Sequence, residues 1–338
     1  MLKTRSAPIL LAAFFLVGVV LPLIVRSPYL QDLVILTLLN AYLALSWNML
    51  SGLAGQFSFG HAAFYGLGAY TSTILFMRLG ISPWIGLLAG GAVAAAVGGT
   101  TGYISFRYGL KGAFFALVTF AVAGMFQVIA TNWDFVGGAV GLMVPLKGNA
   151  PLLFQFRDKE PYYYVIFAMV AAAIYLTHRI KQSRLGYYWQ AIREEETGAA
   201  VMGINPLRYK VIAMIISSAM TAMAGTFYAQ WQFYLDPVLA FGGPTSISIL
   251  LGAVVGGVGT VWGPVVGAML LTVLSEFTKE MFRKTPGVDV MLYGAILMAV
   301  IIFLPQGLMG LGKTFSRRTQ GSKLTEGTKG GAGGVGSP

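Results

Sequence analysis

Apolar residues along this chain come in runs of about 20, long enough to cross a hydrocarbon layer as helices, separated by short polar or glycine-rich breaks. The runs place spans near 8–25, 31–51, 57–77, 83–106 and 112–131, and a second set near 161–178, 209–231, 244–258, 264–282 and 289–305. The pattern predicts an all-α polytopic membrane protein of about ten transmembrane helices. The range 244–258 is the shortest and reads as tilted or re-entrant.

Between the two sets lies one long polar stretch, Arg179 to Pro206. Leu185, Tyr188, Trp189 and Ile192 fall at helical spacing, so a first short helix would lay an aromatic face on the bilayer surface. A second helix begins near Glu194, where three glutamates meet the positive end of its dipole, and Gly203 followed by Pro206 stops it. Its exposed side would be Gly198, Ala199, Ala200 and Gly203, a small-residue surface that another backbone can approach. A charged connector between membrane spans is the plainer reading of the same stretch.

Five spans followed by five give two halves of opposite orientation, the inverted repeat common among transporters. Phe59, Gly60 and His61 stand at the place matched by Phe241, Gly242 and Gly243, each trio opening the third helix of its half. The membrane domain is expected over residues 1–310. A disordered tail over 311–338 follows, where GGAGGVGSP has no apolar periodicity.

Composition agrees: 56% of residues are hydrophobic and 10% charged, with a mean hydropathy of +0.72. A net charge of +11 does not indicate nucleic acid here, because the basic residues flank apolar segments. Their bias puts both termini on the cytoplasmic side of a bacterial-type inner membrane. No cysteine is present, which excludes disulfides and thiolate metal sites. Asp32, Asp236, Glu276, Glu280 and Asp289 lie near span ends, so the mid-membrane ionisable groups of an ion-coupled carrier are missing. No phosphate-binding G-x-x-x-x-G-K-[ST] occurs either. If transport is powered, the energy arrives through a partner.

The stretch Asn48 to Tyr70 crowds Gln56, Ser58, Gly60 and His61 where two spans meet. It reads as a broken helix lining a pathway, or as glycines that let helices pack closely. His61 is a hydrogen-bonded scaffold or a proton relay. Gly242 and Gly243 repeat the theme in the second half, as does Leu251 to Gly267. Gly137 and Gly138 form an outer turn beside Trp133, a contact for substrate or docking protein or a bare loop. No paired carboxylates, metal-ligand cluster or nucleophile with base stands at usable spacing, which argues against an enzyme.

The segments GLAGQFSFGHAAFYGLGAY (52–70), SRLGYYWQAIREEETGAAVMGIN (183–205), LLGAVVGGVGTVWGPVVGAML (250–270) and LPQGLMGL (304–311) resemble, in order, the permease subunits of branched-chain amino-acid ABC importers, LivM-type above all. The resemblance implies a pathway formed with a second, LivH-like permease. It also implies two cytoplasmic ATPases that carry the ATP and magnesium, a binding protein outside, and no cofactor in this chain. It makes Arg193, Glu196, Thr197, Gly198, Ala199, Ala200 and Gly203 the coupling helix. It departs from the family pattern at Gly124, Gln127 and Val136, which are less polar than expected near a pathway. Urea, short amides or small carboxylates are the alternative cargo, and an ion-driven secondary carrier the alternative class.

Overall fold

The computed structural model describes residues 27–282 continuously and isolated positions on either side of that range. The spans expected at 8–25 and 289–305 lie outside the described residues apart from such positions, and the tail at 311–338 lies wholly outside them. Helix α1 (Pro28–Trp47) runs directly into a π-helical end (Asn48–Leu53). There follow α2 (His61–Leu79), α3 (Pro83–Arg107), α4 (Gly112–Asn132) and α5 (Glu160–Gln182). Two short helices, α6 (Arg184–Glu194) and α7 (Glu196–Val201), lead to α8 (Pro206–Gln232), and then come α9 (Pro237–Phe241), α10 (Gly243–Gly256) and α11 (Gly263–Met281). Most of these helices open with proline in the first turn, where its missing N–H has no partner to lose.

Among the described residues, five stretches are long and apolar enough to cross a membrane: Pro28–Leu53, Pro83–Arg107, Gly112–Asn132, Glu160–Gln182 and Pro206–Gln232. Helix α2 has 19 residues but carries buried Ser72 and Thr73, which dilute its hydropathy. The expected span at 57–77 starts only at His61, because Gln56 to Gly60 is loop. Helix α10 has 14 residues, about 21 Å of rise, short of the ~30 Å hydrocarbon layer. Gly242, extended at φ −67° and ψ 153°, separates it from α9, so the expected 244–258 span is the second piece of a broken helix.

The core is a three-helix contact of α2, α3 and α8 made by glycine. A Cβ on Gly68 would meet the Ala222 carbonyl oxygen at 2.0 Å, and one on Gly225 the Tyr65 carbonyl oxygen at 1.9 Å. Backbone lies against backbone here, and the contacts climb both helices together, His61 to Ser217 and Gly68 to Thr226. Helices α2 and α8 are therefore parallel.

At the α2 end away from His61, a two-residue ladder pairs β1 (Leu142–Met143) with β2 (Tyr234–Leu235). Nearby, Trp84 stacks on Phe154 at 4.1 Å, and the buried Gln155 amide holds its own loop through Lys147 N and Pro145 O.

Candidate functional site

Three features converge on the end of the bundle that carries α6 and α7. The first is the polar stretch itself. Trp189 is fully buried and its indole N–H donates to the Tyr209 carbonyl at 2.8 Å, while Tyr188 packs on Tyr209 at 4.8 Å. The aromatic face expected on the bilayer surface is instead seated against the start of α8. Tyr187, which is not part of that face, points outward and is 64% exposed.

Helix α7 begins where the Glu195 carboxylate accepts from Thr197 N and ends in a left-handed Gly203 at φ +84°. Of the four small residues expected on its exposed side, Ala199 is buried, Gly198 is half-buried, and Ala200 and Gly203 are exposed. Val201 and Met202, at 85% and 71% exposure, complete the outward surface, and neither stood out in the sequence. Glu196 lies between Lys111 Nζ at 2.8 Å and Lys210 Nζ at 2.7 Å. Partial burial works to raise the Glu196 pKa, but hydrogen bonds to both lysines and their charges outweigh it and hold the carboxyl below its ordinary value. The Glu196 hydrogen bond and charge raise that of Lys111. Glu196 thus pins α7 to the start of α4 and to α8.

The second feature is a junction of the two glycine-rich loops. Arg193 Nη1 donates to the Gly52 carbonyl, and Lys181 Nζ donates to the Gly259 carbonyl at 2.8 Å. Buried Asn48 donates to Thr260 O at 2.9 Å and accepts from Gly259 N at 2.8 Å. Gln56 is buried and its amide donates to Ala54 O, while Ser51 Oγ donates to the Gln56 carbonyl. Arg193 is therefore turned towards its own chain, and Gln56 holds its own loop.

The third feature is a buried polar thread. His61 Nε2 lies 2.8 Å from Ser217 Oγ and Nδ1 lies 3.2 Å from Ser58 Oγ. Ser217 spends its single proton on Ser46 O, so Nε2 carries the imidazole proton and Nδ1 accepts from Ser58. Both nitrogens are satisfied in the neutral ring, with no carboxylate in the thread to receive a proton. Ala62 N donates to Ser246 Oγ at 3.0 Å, so the starts of α2 and α10 touch. Both abut α4, where a Cβ on Gly60 would meet Thr119 O at 2.1 Å and one on Gly243 the Phe120 ring at 3.1 Å. Thr119 is about 10 Å along α4, well inside it. Phe241 closes the space beside this meeting point, stacked on Tyr70 at 5.4 Å and on Phe126 at 6.1 Å.

The structure thus brings Gln56, Ser58, Gly60, His61, Gly242 and Gly243 into one region, and leaves Gly137 and Gly138 at the opposite end of α4. There their positive φ angles shape the turn into β1. Lys111, Lys210, Asn48, Ser217 and Ser246 were not singled out as site residues from the sequence. Each is a single polar residue in or beside an apolar run, and only its partner from a distant segment marks it. A cavity of about 580 Å³ opens between α1, α10 and α11, with Asn40, Tyr65, Tyr228 and Thr272 among apolar walls and Glu276 and Lys279 also on its lining. Among the described residues no group of three His, Cys, Asp or Glu could hold a metal.

A family model described as "Branched-chain amino acid transport system / permease component" matches residues 29–301. The high-affinity branched-chain amino acid permease protein LivM of Escherichia coli K12 is 28% identical over 91% of this chain and 76% of its own length. LivH of Salmonella typhimurium is 26% identical over 80% of this chain and 91% of its own. BraD of Pseudomonas aeruginosa is 27% identical over 83% and 96% respectively. No solved structure matches.

Proposed function

The chain belongs to the family of branched-chain amino acid transport permease components, and from that premise we propose that it forms, with a LivH-like partner, the pathway through which an ABC importer carries branched-chain or related hydrophobic amino acids. As a member of that family it is a LivM-type membrane transport subunit and not an enzyme. Hydrolysis of ATP with magnesium belongs to two cytoplasmic ATPases, and delivery to a binding protein outside. Helices α6 and α7 are the docking element, with Thr197, Gly198, Ala200, Val201, Met202 and Gly203 as its outward surface.

The observation that carries this reading is α7. A six-residue helix stands clear of the bundle with bare apolar side chains at its tip, yet is ion-paired into α4 and α8 at its base. Such a helix transmits force from a partner better than it builds a core. Ten spans in two inverted halves, with both termini cytoplasmic, complete the proposal. The contact between the matched starts of α2 and α10 supports it, because equivalent elements meet at the axis of a pseudo-twofold repeat. The meeting of the two helix starts, where His61, Ala62 and Ser246 are buried with Phe241 beside them, fits a gate on the pathway. Neither urea-type cargo nor an ion-driven carrier has support in the relatives.

The test uses the cysteine-free chain. Ala200→Cys, co-expressed with the ATPases and a cysteine in their groove, should give an oxidative cross-link that changes with ATP. Absence of any cross-link from Thr197 through Gly203, with the ATPases present and assembled, refutes docking.

A further inference from the structure

Arg193 belongs by sequence to the docking helix, yet its guanidinium is directed away from the docking surface. It reaches across 141 positions of chain to the Gly52 carbonyl, in the last turn of the π-helical end of α1. Its stem lies over Gly55 and its tip over Gly259, where an added Cβ would meet Arg193 Cγ at 2.7 Å and Nη1 at 2.5 Å. Lys181, one helix earlier, donates to the Gly259 carbonyl. Gly52 and Gly55 belong to the first half, and Gly259 to the second. Two cations, Lys181 at the end of α5 and Arg193 in α6, therefore grip the glycine loops of both halves, which Asn48 joins from within.

Each loop leads to a helix that meets the other at α4. Residues 54–60 run from the gripped carbonyl of Gly52 to the start of α2, and Gly259 lies in the loop that follows the far end of α10. Gly52 lies in a last helical turn, whose carbonyls carry partial negative charge and favour a cation, while Gly259 offers a turn carbonyl in the loop after α10. Arg193 and Lys181 remain open to water, which keeps such bonds weak enough to break without unfolding anything.

We propose that Arg193 and Lys181 are positioning residues that latch the inner ends of the two halves together, and that displacement of α6 and α7 by the ATPases releases the latch and frees α2 and α10 to part. The inference rests on the docking role of α7 but assigns Arg193 the transmission of movement rather than contact with the partner.

The complete importer, reconstituted with its partners in proteoliposomes, separates the two. Arg193→Gln should lower amino acid taken up per ATP hydrolysed by roughly tenfold, inside the usual range of coupling between sites, while the Ala200→Cys cross-link to the ATPases persists. Arg193→Lys should restore part of the ratio, because a cation can still reach Gly52, which a merely structural loss would not show. An unchanged ratio with the cross-link retained overturns the latch and leaves docking intact. Loss of the cross-link in Arg193→Gln alone makes Arg193 a docking residue and also overturns the latch. Should Arg193→Gln fail to assemble, Lys181→Gln answers the same question: a lowered ratio supports the latch, and an unchanged one overturns it. Absence of the cross-link in the chain that keeps Arg193 refutes the docking role instead.

Discussion

Removing the Glu196 carboxylate tests how α7 is held. In Glu196→Ala the Lys210 ammonium, whose side chain is only 3% exposed, keeps just the Phe106 ring 5.5 Å away. Breaking a buried ion pair from one side costs about 3–5 kcal/mol. Here Glu196 is itself 27% exposed and the cation–ring contact returns about 1 kcal/mol, so about 2 kcal/mol is expected. At 1.4 kcal/mol per factor of ten, α7 should open about 30-fold more often. The readout is thiol labelling at Ala199→Cys, a position buried while α7 is docked, normalised to the exposed Ala200→Cys. Lys111→Ala removes the partner that is 61% exposed and should raise labelling only about twofold, as surface pairs do. Acidification should mimic the mutation. Because the folded Glu196 pKa is lowered, its pairing contributes fully above the ordinary carboxylate pKa and is lost as pH falls through the lower folded value, so normalised labelling should rise below about pH 4. Equal effects of Glu196→Ala and Lys111→Ala, or none from either, would refute the burial argument.

Asn48→Ala deletes both bonds that join the two glycine loops and should lower stability by about 2 kcal/mol, read as a lower midpoint of thermal unfolding in detergent. His61→Gln should retain uptake, because an amide can serve both serine hydroxyls; abolished uptake in a protein of unchanged stability would reinstate the proton relay. Gly225→Val would drive a side chain into the Tyr65 carbonyl, where backbone cannot yield as a rotamer does, so the helices should separate at a cost above the usual 1–3 kcal/mol of overpacking. Little or no assembled protein is expected on size exclusion, and a normal elution profile would contradict the close approach. Trp189→Ala empties a fully buried site and should cost about 3–5 kcal/mol, seen as protease cutting within 184–205 of an otherwise intact chain.

The places where expectation and structure parted are instructive. Hydropathy found 244–258 as the weak span, and α10 is short because α9 and Gly242 break the path before it. The helical spacing of Leu185, Tyr188, Trp189 and Ile192 was real, but spacing identifies a buried face without saying what buries it. Ala199 was grouped with Ala200 on size alone, and one step of 100° around a helix separates a buried position from an exposed one.

Hydrophobic run length by itself determined that this is a helical membrane protein, since a backbone in lipid must satisfy its own hydrogen bonds and only long apolar helices do so cheaply. The ordered motifs likewise determined the family, and the polar stretch the position of α6 and α7. Only the tertiary structure decided that Arg193 turns inward to Gly52, that Glu196 is held between two lysines, and that the starts of α2 and α10 meet at Thr119 and Phe120. These contacts join residues that can lie over a hundred positions apart. Their energy depends on distance and burial, quantities that a local pattern of residue types does not contain.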